Sequence, residues 1–472
     1  MDLGRQRDYR CDGYDGPRTE VVTPCKNLLP TNQREPTVAL LPWGNVLEDY
    51  IDSIGISLEV FCEKFSGSYM FGYIDALRRV GVRTVLICIS ARVDKPSRFT
   101  HLPTGATICV LPAPWIYRAV RGKMCNPYGR TVRQMFGAIH GVRWLLFPVL
   151  VLLRETALYL TTPLQRLAHE LRREHCDAIL CQEYEYPRFD VCVLLGRLMH
   201  LPVFATFQGG DYQRSRLEPL LRRLALQACA GLIIATKTEI LRVRARYGTP
   251  PTKLAQIFNP IDPAVWSPVD RSKVRAQLGI PHAARVVVWH GRVSIRQKGL
   301  DILLEAWKLV CNRCTATELR LLLIGTGQDS EELSRRIALL QSNNLLWVNE
   351  FVQDRAVLRD YLSAADVYVF PSRHEGFPVA PIEAMACGLP VVAANTQGIP
   401  DIFYGGEQSG GLIVQPDNPV SLAEGLERVL TNPTWSRELG KRARRRVESS
   451  FSLEAAGAQM RSFLFAGQLE VA

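Results

Sequence analysis

Short apolar runs rich in β-branched residues alternate with amphipathic stretches along most of this chain, and glycine, proline or small polar residues close each run. Val38–Gly44 and Val82–Ile89 read as two strands, and residues 66–81 between them read as a small-residue turn, a helix and a stop at Gly81. A strand, helix and strand in that order make the unit of a parallel sheet. Asp177–Gln182, Val203–Phe207 and Gly231–Thr236 continue the series, each separated by helical pattern. A second series opens with the strand Arg285–His290 and the helix Leu300–Cys311, followed by strands at Leu321–Ile324, Trp347–Gln353 and Ala365–Pro371. Pro381–Ala386 turns helical and stops at Gly388-Leu-Pro390, and Leu422–Leu430, Arg437–Ser449 and Leu453–Phe463 read as later helices, with a solvated basic face over Lys441–Arg446. The pattern predicts an α/β protein with doubly wound sheets, whose ligands sit beyond the C-terminal ends of the strands.

Four stretches break the alternation. Residues 1–35 mix Arg, Asp, Gly, Pro and Asn without period and read as a disordered tail. Asn45–Phe65 is a long insertion ahead of the first long helix, with no role assigned by its pattern. Ile257–Pro268 holds three prolines with Asn259 and Asp262, which mark a domain boundary and are expected to hold the turn by side-chain to backbone bonds. From Lys95 to Arg154 there is no acidic residue, while arginines, Lys123 and aromatics such as Trp115 accumulate around the apolar run Trp144–Leu153. That run is short of the ~20 residues that span a bilayer. A basic, aromatic-bearing surface suits an anionic membrane face, and a buried helix with solvated arginines explains the same residues.

A chain of 472 residues exceeds one ordinary core and suggests two domains. The net charge of +11 admits nucleic acid, phosphate-rich ligands or an anionic membrane as partners. No signature of a nucleic-acid module is present. Thirteen scattered cysteines and an N-terminus without an apolar signal core point to a reducing cytosol. Cys311 and Cys314 have no second pair, so they read as helix cysteines rather than a metal or redox site.

The candidate chemistry follows the strand ends. Glu375 lies in the loop after Ala365–Pro371, and Glu383 falls seven intervening residues later, in the first turn of the helix. Two carboxylates so placed face one ligand at two depths, and the amides of Gly376 and Phe377 lie at the positive end of the helix, where an anion is stabilised. Arg292 and Lys298 share a loop after Arg285–His290 and can direct a guanidinium and an ammonium at a diphosphate. Gly325-Thr-Gly327 lacks the rest of a dinucleotide fingerprint.

The Glu-(seven residues)-Glu pair, inside Asp366–Phe377 and followed by Glu383-Ala-Met-Ala-Cys-Gly-Leu-Pro-Val-Val-Ala393, resembles the signature of retaining GT-B glycosyltransferases of family 4. The resemblance spans about residues 36–466, sharply in the second half and loosely in the first. It implies two Rossmann-like doubly wound domains facing each other across a cleft. The acceptor-binding domain would span 36–265, the nucleotide-sugar domain 266–452, and a terminal helix in 453–472 would cross back to the first domain. It implies that Arg292 and Lys298 clamp the donor diphosphate, that Glu383 binds the ribose hydroxyls and that Glu375 binds the donor sugar and acts in catalysis. Gly67, in Ser66-Gly67-Ser68, matches the family's phosphate-binding turn. Gln208 stands where many members carry a sugar-contacting histidine, which leaves Asp211 as the nearest ionisable substitute, with Glu183 and Glu185 close by at the preceding strand end. Asn395–Asp401 resembles the family's Gly-Gly-Ile-Pro-Glu turn.

The expected activity is retaining transfer of a sugar from a nucleotide diphosphate sugar to a hydroxyl, on a lipid, a polysaccharide or a small molecule. The chain has no Asp-x-Asp element, so neither metal nor other cofactor is expected. A cytoplasmic protein is expected, in possible contact with the cytosolic face of a membrane, with no nucleic-acid partner. A sugar-nucleotide or polyanion binding protein that has lost catalysis is the alternative, and a nucleotide-sugar epimerase, which needs no acceptor, is a third reading.

Overall fold

The computed structural model describes residues 34–65, 69–138, 145–209, 215–340 and 344–466. Gly67, Asp211 and nearly all of residues 1–35 lie outside them. From Pro36 onward the chain forms one compact unit containing two sheets.

The first sheet holds β1 (Thr37–Leu41), β2 (Arg83–Ser90), β3 (Ser97–Thr100), β4 (Thr107–Pro112), β5 (Ala178–Cys181), β6 (Val203–Phe207), β7 (Gly231–Ile234) and β8 (Leu254–Ala255). Their order is β3-β4-β2-β1-β5-β6-β7-β8. All pairs are parallel except β3 with β4, where Arg98 lies opposite Cys109 in an antiparallel register. The second sheet holds β9 (Arg285–His290), β10 (Leu319–Ile324), β11 (Leu345–Val348), β12 (Val367–Phe370), β13 (Val391–Ala394) and β14 (Gly411–Val414), in the order β11-β10-β9-β12-β13-β14 and wholly parallel.

The inner strands are buried on both faces, as the continuous apolar runs require of a parallel sheet covered by helices. Strand direction of winding reverses between β1 and β5 and between β9 and β12. At those two places neighbouring loops diverge and leave a crevice. The Arg292 loop leaves β9 and the Glu375 loop leaves β12, so both halves of the candidate chemistry sit at the second crevice.

Helix Leu453–Leu464 returns to the first sheet. Its Leu453, Ala456, Met460 and Leu464 share a core with Phe71, Ile74 and Leu77 of helix Tyr69–Arg79. The halves also meet through Asp401, whose Oδ1 accepts from the Lys237 amide at 3.1 Å and from Gln256 Nε2 at 2.8 Å. The basic face expected over Lys441–Arg446 is only partly solvated. Arg444 donates to Trp266 O and Ala386 O, and Arg446 lies 5.3 Å from the Phe451 ring, so both act as staples.

Candidate active site

The loop after β9 is fixed by backbone contacts. Gly291 N donates to Ile324 O at 3.0 Å and Val293 N to Thr326 O at 2.9 Å. A Cβ on Gly325 would lie 1.9 Å from Gly291 O, so the glycines of Gly325-Thr-Gly327 are there for close backbone approach. Between these anchors Arg292 stays exposed, with a single long contact of 3.5 Å to Gln297 Oε1. Helix Ile295–Lys298 then carries Lys298, whose Nζ donates to Glu375 Oε1 at 2.6 Å, both side chains being largely buried.

Glu375 and Glu383 are held differently. The helix of Glu383 begins at Ala380, with Pro381 in its first turn, and Glu383 Oε2 accepts from His290 Nε2 at 2.9 Å. His290 is 7% exposed and its Nδ1 has no partner among the described residues. Hydrophobic periodicity marks that position only as the end of a strand. Nothing in a single histidine at a strand end signals that it faces a carboxylate 93 residues away.

The loop between them is pinned by Arg373, also unforeseen. Its guanidinium bridges Asp301 Oδ1 and Oδ2 at 2.7 and 2.9 Å, donates to Arg296 O at 2.8 Å and pairs with Asp417. Phe377 buries its ring against Phe258, 5.5 Å away and nearly parallel. Among the described residues, neither the Gly376 nor the Phe377 amide donates to a protein acceptor.

From the other half, Gln208 reaches the same place. A Cβ on Gly376 would lie 2.6 Å from Gly209 Cα and 2.7 Å from Gln208 O, so the two loops touch backbone to backbone. Gln208 and Asn259 exchange two amide hydrogen bonds, at 3.0 and 3.3 Å, and Tyr73 Oη donates to Asn259 Oδ1 at 2.9 Å. Asn259 therefore orders a side-chain network rather than its own turn. Asp262 does cap its turn, accepting from the Ala264 amide at 2.9 Å.

Glu183 and Glu185 are both bonded within the protein. Glu183 has a φ of 118° and accepts from the Glu185 and Gln208 amides at 3.1 and 3.0 Å, so its carboxylate shapes the loop that presents Gln208. Glu185 is fully buried between Arg222 and Arg242, at 3.2 and 2.6 Å. Burial without compensation would be costly, and two guanidiniums supply it.

One further group of donor atoms, Cys109, Glu170 and Glu174, is close enough together to hold an ion. Arg98 pairs with both carboxylates and Arg83 with Glu174, so the positive charge a metal would supply is already present. Burial pushes the Cys109 thiol up to about 11, away from the thiolate a metal prefers.

Residues 67–265 match the family model described as Glycosyltransferase Family 4, and residues 284–432 match the one described as Glycosyl transferases group 1. The two matches fall on the two sheets in turn. This chain belongs to the group 1, family 4 glycosyltransferases of GT-B fold. It is 32% identical over 246 residues to a D-inositol 3-phosphate glycosyltransferase of Rhodococcus erythropolis, covering 50% of this chain and 54% of the relative. It is 31% identical over 262 residues to an alpha-maltose-1-phosphate synthase of Mycolicibacterium smegmatis, covering 52% and 64%. The chain thus spans about half to two thirds of the length of these curated relatives. In structure it resembles a sucrose-phosphate synthase of Thermosynechococcus elongatus, with TM-score 0.61 and 21% identity over 93% of this chain and 100% of the other. It also resembles Anabaena HepE in complex with UDP, with TM-score 0.62 and 16% identity over 92% and 100%. These likenesses establish the GT-B fold, two Rossmann-like doubly wound halves facing each other.

Proposed function

We propose that this GT-B glycosyltransferase moves a sugar, with retention and without a metal, from a nucleotide diphosphate sugar to a hydroxyl acceptor. The observation that carries the reading is the Lys298–Glu375 pair at 2.6 Å, beside Glu383 on the same loop-helix unit. The bond that breaks joins the anomeric carbon to the diphosphate, and negative charge grows on the departing oxygen. Arg292, Lys298 and the unpartnered amides of Gly376 and Phe377 are the groups that would stabilise it, preorganised where a metal would otherwise serve. Glu375 would hold the sugar hydroxyls and the developing positive charge, and the free oxygen of Glu383 would take the ribose. By the resemblance, Gly67 would contact the donor phosphates, Gln208 the donor sugar and Asp211 the acceptor hydroxyl.

A double displacement needs a carboxylate on the opposite face of the sugar. Glu183 and Glu185 are both committed to the protein. The reading is front-face return, as the family resemblance implies, in which the departing phosphate oxygen receives the acceptor proton while the acceptor oxygen bonds to the same face. Binding of UDP-, GDP- and ADP-sugars with and without chelator, followed by product anomer assignment, tests it. Chelator-resistant binding that Arg292→Ala or Glu383→Ala abolishes is expected. Full turnover by Glu375→Ala, or an inverted product, would overturn it, and donor binding by the unaltered protein with no turnover on any acceptor would favour a binding protein.

The surface of the first half adds a site of action. No helix among the described residues is long and apolar enough to cross a membrane. Helix Phe147–Thr156 buries none of its residues fully. Its Leu150, Val151 and Leu153 pack partly on Val132, Met135 and Phe136, while Leu145, Val149 and Leu152 point outward at helical spacing. Four arginines of the expected basic surface are already paired, Arg98 with Glu170 and Glu174, Arg118 with Asp94, Arg121 with Asp49 and Arg154 with Glu155. Lys123, Arg130 and Arg133 remain exposed beside the outward leucines. That juxtaposition supports the reading of a cytosolic protein that rests this face on anionic lipid. Co-sedimentation with phosphatidylglycerol vesicles but not phosphatidylcholine ones is the expected result, lost in Leu152→Asp.

A further inference from the structure

The Arg292 and Glu375 loops leave the C-terminal ends of β9 and β12. At the N-terminal ends of the same sheet lies a separate cavity of about 740 Å³, lined by Arg285, Asp366 and Pro390, which begin or immediately precede β9, β12 and β13. Arg292, Lys298, Glu375 and Glu383 do not line it. One wall is helix Pro433–Ser450, whose Arg437, Lys441, Arg444 and Arg445 recur at helical spacing along the face turned to the cavity. Arg271 and Arg285 stand on the other side. The wall is seated by backbone contact, since a Cβ on Gly440 would lie 2.1 Å from Gly388 O.

The carboxylates paired with these cations are few and already shared. Asp366 Oδ2 accepts from the buried Arg275 and from the Val286 amide, both at 2.8 Å, and Oδ1 accepts from Arg271 at 2.9 Å. Arg285 stands 3.7 Å from that oxygen, beyond hydrogen-bond reach. Glu438 serves Arg445 at 3.3 Å, Arg442 at 3.6 Å and Lys441 at 4.0 Å, and Glu448 takes Arg444 at 2.7 Å. Arg437 is exposed and has no hydrogen-bond or ion-pair partner among the described residues. Burial lowers the Arg271 pKa, and Arg275, Arg285 and Arg437 lower it further against the pull of Asp366. Six cations thus line one concavity with three carboxylates to pair them. A solvated basic face would spread such charges apart, whereas here they converge and repel one another.

We infer that this cavity binds a small molecule carrying two or more phosphate groups. Guanidiniums grip phosphate oxygens in a bidentate fork, and five of the six cations are arginines. The volume suits a ligand of sugar or nucleotide size. The concave shape favours such a ligand over a lipid surface, whose phosphates lie in a plane. Because the cavity lies at the opposite end of the strands from the proposed donor site, its ligand is a second one that takes no part in sugar transfer.

Titration calorimetry with inorganic tripolyphosphate tests it, on the full-length Arg292→Ala protein so that the proposed donor site is impaired, at about 0.15 M salt to screen diffuse attraction. One tripolyphosphate per chain is expected. Adding Arg437→Glu with Lys441→Glu should weaken it at least about tenfold. Lys308→Glu with Arg335→Glu, exposed cations outside the cavity and the same change of charge, should weaken it less than about twofold. Arg437→Ala, which removes no bond of the fold, should act in the same direction as the reversal pair. No binding, or equal weakening by the two reversal pairs, would overturn the site. Wild-type tripolyphosphate affinity in Arg437→Ala and in the cavity pair, with co-sedimentation on phosphatidylglycerol vesicles lost, would overturn it and assign these cations to a membrane surface.

Discussion

At the scale of single residues, the site depends on what two glycines omit and on what one histidine holds. Gly376 touches Gly209 and Gln208 through backbone atoms only, so no rotamer change relieves an added methyl group. Gly376→Ala is expected to displace the Glu375 loop, cost about 1–3 kcal/mol in urea unfolding and lower kcat/KM by at least about tenfold. His290 fixes one oxygen of Glu383, and in the proposed site the other takes the ribose. His290→Leu should raise the donor KM with kcat nearly unchanged, because ribose binding is equally strong in ground and transition states. His290→Gln, which keeps a donor near the lost Nε2, should restore much of the affinity. A purely structural histidine would instead lower stability and kcat together.

At the scale of elements, the question is how two loops on neighbouring strands keep a common register. Arg373 answers it by tying the Glu375 loop to helix Leu300–Arg313 through Asp301 and to the Lys298 loop through Arg296 O. Burial alone would raise the Asp301 carboxyl, yet the Arg373 bonds outweigh it and hold the group below the ordinary 3.8. A depressed carboxyl contributes stability above its unfolded value and loses it as pH falls through the folded one. Wild type should therefore lose about 1–2 kcal/mol relative to Asp301→Asn as pH drops below about 3.8, with a constant gap above about pH 5. Thermal melts of the two proteins across pH 2–6 check this. Parallel curves throughout would show that the pair adds nothing to folding.

At the scale of the whole molecule, the halves are joined by elements far apart in the chain. Helix Leu453–Leu464 lies so close to helix Tyr69–Arg79 that a Cβ on Gly457 would come 2.3 Å from Ala76 O. Gly457→Ala should cost about 1–3 kcal/mol in urea unfolding, and a larger residue should loosen the terminal helix from the first half. Weaker donor binding is then expected along with lower stability, since the Asp262–Arg79 bridge between the halves depends on that packing. Unchanged donor affinity in a folded Gly457→Leu protein would show that the site and the terminal helix are independent.

The sequence by itself determined the parallel sheets, because buried parallel strands must be continuous apolar runs. Val203–Phe207 and Arg285–His290 coincide with β6 and β9 for that reason. It also brought Glu375, Glu383 and Lys298 together as candidates, since their spacing follows strand ends and a helix start, and the fold places Lys298 against Glu375. It did not reveal β3 and β4, where Arg98 is drawn into the fold by Glu170 and Glu174 from a distant helix rather than by any local pattern. Val391–Ala394 and Gly411–Val414 were too short to stand out as strands until their neighbours covered them. His290, Arg373 and Asn259 were decided by tertiary structure alone. Each acts on a partner remote in sequence, and periodicity records which face of an element is buried, not what that face meets.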